Sequence, residues 1–149
     1  MEFGPINLFG GIIVALMLLP NIIYAIRFRD AENKCTNKLL NILEQVGRYG
    51  SMALMVLPLG VWKFGFPSVA DMLVYLIGSG ALMLTYYVLW AVYFRRQTAG
   101  VSIALAVVPT LIFLFCGLAL RHWLLVAFAV LFGIGHITVT RANLPEENK

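Results

Sequence analysis

Charge is the scarcest commodity in this chain. Only 11 Lys and Arg and 7 Asp and Glu occur among 149 residues, against a 61% hydrophobic share. So few charges cannot coat the surface of a water-soluble fold of this length, and lipid must cover what charge does not. The two cysteines lie apart, Cys35 in a polar segment and Cys116 in an apolar run. That excludes a disulfide framework and leaves two free thiols, with Cys35 close enough to a membrane surface to carry a lipid. There are two histidines, no HExxH and no phosphate-cradling glycine loop, so neither a metal nor a cofactor is expected. The net charge of +4 comes from short basic clusters between apolar runs, which argues against a nucleic-acid partner.

What the chain does have is long apolar runs. Leu8 to Ile26 can cross a hydrocarbon core of about 30 Å at about 1.5 Å per residue. No Lys or Arg precedes this run, and Arg27 and Arg29 follow it without a small-residue cleavage site, so it is expected to remain as a span. Leu39, Ile42, Leu43 and Val46 recur at helical spacing opposite Asn41, Glu44, Gln45 and Arg48, which predicts an amphipathic lead-in over 38–48. The lead-in feeds a second span over 45–62, and further spans are expected over 72–94, 101–120 and 123–140. The expected fold is therefore an all-α integral membrane bundle of five transmembrane helices in a single domain. A four-span alternative makes the second or fifth run re-entrant or interfacial.

Orientation follows from the distribution of positive charge. Arg27, Arg29, Lys34, Lys38, Arg95, Arg96, Arg141 and Lys149 fall on one side, and Lys63 and Arg121 on the other. The first side is expected to be the cytoplasm, with the N-terminus out and the C-terminus in, in a membrane of the bacterial cytoplasmic type. Trp62 and Trp123 then fall at the outer interface and Tyr24, Trp90 and Tyr93 at the inner one, where amphipathic rings favour the headgroup zone.

Three prolines sit inside or at the ends of apolar runs, in the related strings Ala15–Pro20, Ala53–Pro58 and Ala104–Pro109. An inverted repeat of spans one and two with spans four and five is one reading; chance in a chain rich in Ala, Leu and Val is the simpler one. Pro20, Pro58 and Pro109 should each release a carbonyl, from Leu16, Leu54 and Leu105. A freed carbonyl can bind a ligand or be taken up by a neighbouring helix.

The sharpest signal is a polar layer. Asn21 and His136 each lie a little over one turn before the basic end of their spans, at a common depth of about 8 Å. Tyr24, Tyr86 and Tyr87 share that inner third. Glu44 and Arg48, in the favourable order four residues apart, enter from the lead-in. Ionisable and amide groups at membrane depth usually face the bundle interior, so Asn21, Glu44, Arg48, Tyr86 and His136 are the candidate residues for handling a ligand or a proton. Interhelical hydrogen bonding that only holds the bundle together is the competing reading. Ser102, Ala106 and Thr110, with Ala129 and Gly133, form small-residue faces expected to pack closely.

Catalytic residues are not expected. Gly78, Ser79 and Gly80 resemble part of the intramembrane serine protease motif, but its first glycine is Ile77 here. Ser79 and His136 also sit about two helical turns apart in depth. The expected function is a small transporter or channel-like protein using the polar layer. Five short helices enclose little space, so a homo-oligomer is expected to help. The alternative is a partner subunit or sensor docking another membrane protein through Asn41, Glu44, Gln45 and Arg48. A membrane enzyme acting on lipid headgroups is the third reading.

Overall fold

The computed structural model describes residues 4–30, 32–57, 59–61 and 64–144. It contains five α-helices: α1 (Leu8–Arg27), α2 (Lys38–Val56), α3 (Val69–Arg95), α4 (Ala99–Ala119) and α5 (Trp123–Asn143). Each starts on a side chain that accepts a hydrogen bond from the first-turn amides: Asn7, Asn37, Ser68, Thr98 and His122. These caps satisfy donors that a helix cannot pair internally. α1, α3, α4 and α5 are long and apolar enough to cross a membrane, whereas α2 is not apolar enough to qualify by composition.

As expected, the lead-in runs on into the second apolar stretch as one continuous helix, but it stops at Val56 rather than near residue 62. Leu57 is already extended. Pro58, expected to kink that span, lies outside the described residues, as do Trp62, Lys63 and Lys149.

The helices form a ring in the order α1, α2, α5, α4, α3, closing back on α1, with α2 against α5 the most extensive contact and α1 the most loosely held member. α2 and α5 meet backbone to backbone. A Cβ at Gly47 would lie 2.5 Å from the Phe132 amide nitrogen, and one at Gly135 would lie 2.6 Å from that of Glu44. α4 and α5 meet through the expected small residues, Gly133 facing the Thr110 methyl group.

α1 is held at three points. At its start, Asn7 donates its backbone N–H to Val56 O at 2.8 Å and its side-chain amide to Met55 O at 3.1 Å. Further along, Pro20 cannot donate to the Leu16 carbonyl, and the Tyr87 hydroxyl of α3 does so instead at 2.8 Å. One turn on, Asn21 donates to the Tyr86 hydroxyl at 2.7 Å. The Leu16 carbonyl that Pro20 releases is thus taken up by a neighbouring helix. Tyr87→Phe should cost about 1 kcal/mol by orphaning that carbonyl. The same change on a Pro20→Ala background should be nearly silent, since Ala restores the N–H. Equal losses in both backgrounds, read from melting temperatures, would disprove the pairing.

The α4–α5 connection is a tight reversal. Arg121 adopts a left-handed backbone (φ 54°), His122 N–H bonds Gly117 O and Arg121 N–H bonds Leu118 O, the pattern of a Schellman stop. It delivers His122, fully buried, as the cap of α5, where Nδ1 accepts from the Leu125 amide at 3.3 Å. Burial holds this imidazole's pKa below its ordinary value. The unfolded chain therefore takes up a proton that the fold resists. Stability should be full above about pH 6.5 and decline as pH falls below it. His122→Asn, which can still cap, should flatten that decline in melting temperature; a wild-type protein with no acid-side decline would remove this role for His122.

Candidate functional site

At the end of the bundle where α1, α3 and α5 finish and α2 and α4 begin, a cavity of about 480 Å³ opens between α1 and the α2–α5–α4 wall. All five helices line it. Toward the opposite end the interior is closed by fully buried Met55, Tyr75, Cys116 and Leu125. The same end as the cavity carries Arg27, Arg29, Lys34, Lys38, Arg95, Arg96 and Arg141, and is called the basic end below.

α2 makes this cavity polar because it is amphipathic the wrong way round for a soluble protein. Leu39, Ile42, Val46 and Tyr49 point outward, each more than half exposed, while Glu44, Gly47 and Ser51 are buried in the bundle. Of the polar stripe that sequence reasoning offered to a docking partner, Glu44 is buried and Asn41 and Arg48 are part-buried, leaving only Gln45 exposed. Facing inward, the Glu44 carboxylate gains His136 of α5 as a second partner beside Arg48 of its own helix, which makes its burial tolerable.

Glu44 is the hub. Its Oε1 accepts from Arg48 of its own helix and lies 2.8 Å from His136 Nδ1 of α5. Phe132 stacks on the His136 ring at 4.7 Å and also lies under the Arg48 guanidinium at 5.9 Å. With Nδ1–H donated to the carboxylate, a neutral His136 leaves Nε2 as a free acceptor. The Gly47 and Gly135 contact brings Glu44 and His136 into this register, one residue away from the glycine in the second case.

Arg48, His136, Asn21 and Tyr86 all line the cavity, with Glu44 directly behind them. Asn21 spends both amide hydrogens, on Met17 O at 2.7 Å and on the Tyr86 hydroxyl. Pro109 lines the same cavity with Leu105, whose carbonyl it releases. Pro20 is buried, its freed carbonyl already paired with Tyr87. Ser79 lies elsewhere, on the α1–α3 side, donating to Leu76 O at 3.4 Å. The serine and histidine do not meet.

Two features were missed in the sequence. Trp90 is not a headgroup anchor: it is 7% exposed and turned inward, and its ring lies 5.6 Å from both Tyr24 and Tyr93 and 6.2 Å from Tyr86. Together these rings form an aromatic wall facing Arg48 and His136 across the cavity, and Trp90 Nε1 is buried there without a hydrogen-bond partner. By contrast Trp123, at the other end, is 70% exposed. The second feature is an asparagine ladder at the mouth. Asn143 of α5 accepts from the Lys34 amide at 2.6 Å and donates to Asn33, which donates in turn to Asn41 at 2.9 Å. Helical periodicity could not show it, because Asn33 is in a loop.

Among the described residues no group of three His, Cys, Asp or Glu side chains is placed to hold a metal ion. Comparison with family models, curated proteins and solved structures finds no match to this chain.

Proposed function

We propose that this protein is a small membrane transporter whose five helices all cross the bilayer, with the basic end in the cytoplasm, and whose cavity binds a small solute from that side. The observation that carries this reading is the cavity itself: about 480 Å³ and lined from all five helices. Its volume is within the usual range of ligand pockets, about 300–1,000 Å³. A channel needs a continuous path, and the packed far half makes a binding site exposed to one side at a time the better description.

A transmembrane α2 is supported by its inverted pattern. An outward stripe of Leu39, Ile42, Val46 and Tyr49 is stable against acyl chains and costly against water. Its 19 residues give about 28 Å of length, close to the hydrocarbon thickness. The orientation is supported by the basic residues gathered at the cavity end.

Two experiments test the reading. In intact cells Cys35 should resist a membrane-impermeant maleimide while a cysteine placed at Asp71 reacts; the reverse labelling would turn the protein over. In liposomes, solute counterflow should exceed that of protein-free vesicles and be lost in Ala106→Phe, which fills the cavity. Flux unchanged by that substitution, or absent throughout a broad panel of solutes, would refute a transport role for the cavity.

A further inference from the structure

Resting on the transport reading above, we infer that the cavity takes an organic monoanion with a flat apolar body, its anionic group between Arg48 and His136, and that His136 takes up one proton when it binds.

The inventory of hydrogen-bonding groups points this way. On the wall, Arg48 has guanidinium N–H groups beyond the one given to Glu44, and Tyr86 accepts from Asn21 and has no acceptor for its own hydrogen among the described residues. These are unused donors, and they call for an acceptor-rich ligand. The same wall is built of Tyr24, Trp90 and Tyr93, whose rings offer an apolar face to a planar body. At the basic end the surrounding arginines and lysines attract anions to the mouth and repel cations.

Charge accounting supplies the proton. The titratable and charged groups that line or back the cavity are Glu44 and Arg48 from α2, Tyr86 and Tyr93 from α3, Tyr24 from α1 and Glu32 from the α1–α2 loop; α4 contributes none. Glu32 is exposed to water at the mouth, where its charge is screened from the interior. With His136 neutral, the interior charges of Arg48 and Glu44 cancel, and an incoming anion would leave the interior one negative charge in excess at low dielectric. Protonating Nε2 of His136 corrects this. The proton comes from the aqueous mouth, Nδ1–H stays on Glu44, and the new Nε2–H donates to the ligand. Anion and proton enter together and the filled interior is neutral.

The test uses the full chain in zwitterionic nanodiscs and three isosteric probes: indole-3-acetate, indole-3-acetamide and tryptamine. Calorimetric titration at about pH 8 in two buffers of different ionisation enthalpy should show the acetate binding about tenfold or more tighter than either of the others, as one charge-assisted hydrogen bond requires. About one proton should be taken up per acetate, with affinity weakening toward higher pH. His136→Gln should bind with no proton uptake, and Arg48→Gln should lose about tenfold or more in acetate affinity. The comparison of probes on the unaltered protein does not depend on any variant folding. Equal binding of the amide or the amine would overturn the anion assignment while leaving the cavity as a binding site. Uptake that persists in His136→Gln would overturn the histidine's role, and no binding of any probe would overturn both this inference and the transport reading beneath it.

Discussion

Glu44→Ala will destabilise the protein more than the loss of any other single group around the cavity. The carboxylate is 7% exposed and holds two partners, Arg48 and His136, on one oxygen. Removing one member of a buried charge pair costs about 3–5 kcal/mol, chiefly through the charge left behind. Arg48 keeps 31% of its surface open to the cavity, so water can recover part of that loss and the cost belongs at the lower end, about 3 kcal/mol. For a chain of this size that is a fall of about 6–12 °C in melting temperature. Glu32→Ala, at the mouth, is the control and should shift it little. Replacing the whole network, as Glu44→Leu with Arg48→Met and His136→Leu, should recover most of the loss, because an apolar set leaves no orphaned charge. A triple variant no better than Glu44→Ala would mean that the network stabilises the fold in its own right.

The polar layer was legible in the sequence because helical rise is nearly constant. Counting turns back from Arg27 and Arg141 placed Asn21 and His136 at one depth, and the structure brings both to one cavity with Tyr86 and Arg48. Depth, however, says nothing about rotation around a helix axis. Trp90 reads as an interfacial anchor by depth and is instead packed among Tyr24, Tyr86 and Tyr93, since facing the cavity buries its large ring. α2 was read as a lead-in followed by a span because polar residues in its first half lower its hydropathy. Of those residues Glu44 and Arg48 are partnered inside the bundle, with each other and with His136, while Gln45 stays exposed. The glycines at the α2–α5 contact carried no signal either. Gly135 has no small neighbour at four-residue spacing, Gly47 has only Ser51, and what both glycines admit is another backbone rather than a side chain.

That contact supports the last prediction, because it links helix packing to the geometry of the site. Gly135→Val places branched carbon where a Cβ already meets Glu44 N at 2.6 Å and Glu44 Cα at 2.8 Å. The obstructing atoms are backbone and cannot rotate away, so α2 and α5 must separate. Overpacking of this kind costs about 1–3 kcal/mol, and the absence of a movable neighbour places it at the upper end. A separation of about 1 Å would also stretch the His136 Nδ1 to Glu44 Oε1 contact from 2.8 Å beyond hydrogen-bonding range. Gly80→Ala provides the contrast: a Cβ there meets nothing within 4 Å, and alanine in an exposed helix interior should stabilise by about 0.5–1 kcal/mol. Gly135→Val should therefore lower the melting temperature and abolish proton uptake with the indole acid together, while Gly80→Ala raises the first and leaves the second untouched. Proton uptake that survives in a visibly destabilised Gly135→Val protein would separate the helix contact from the Glu44–His136 register and leave the two glycines with a packing role only.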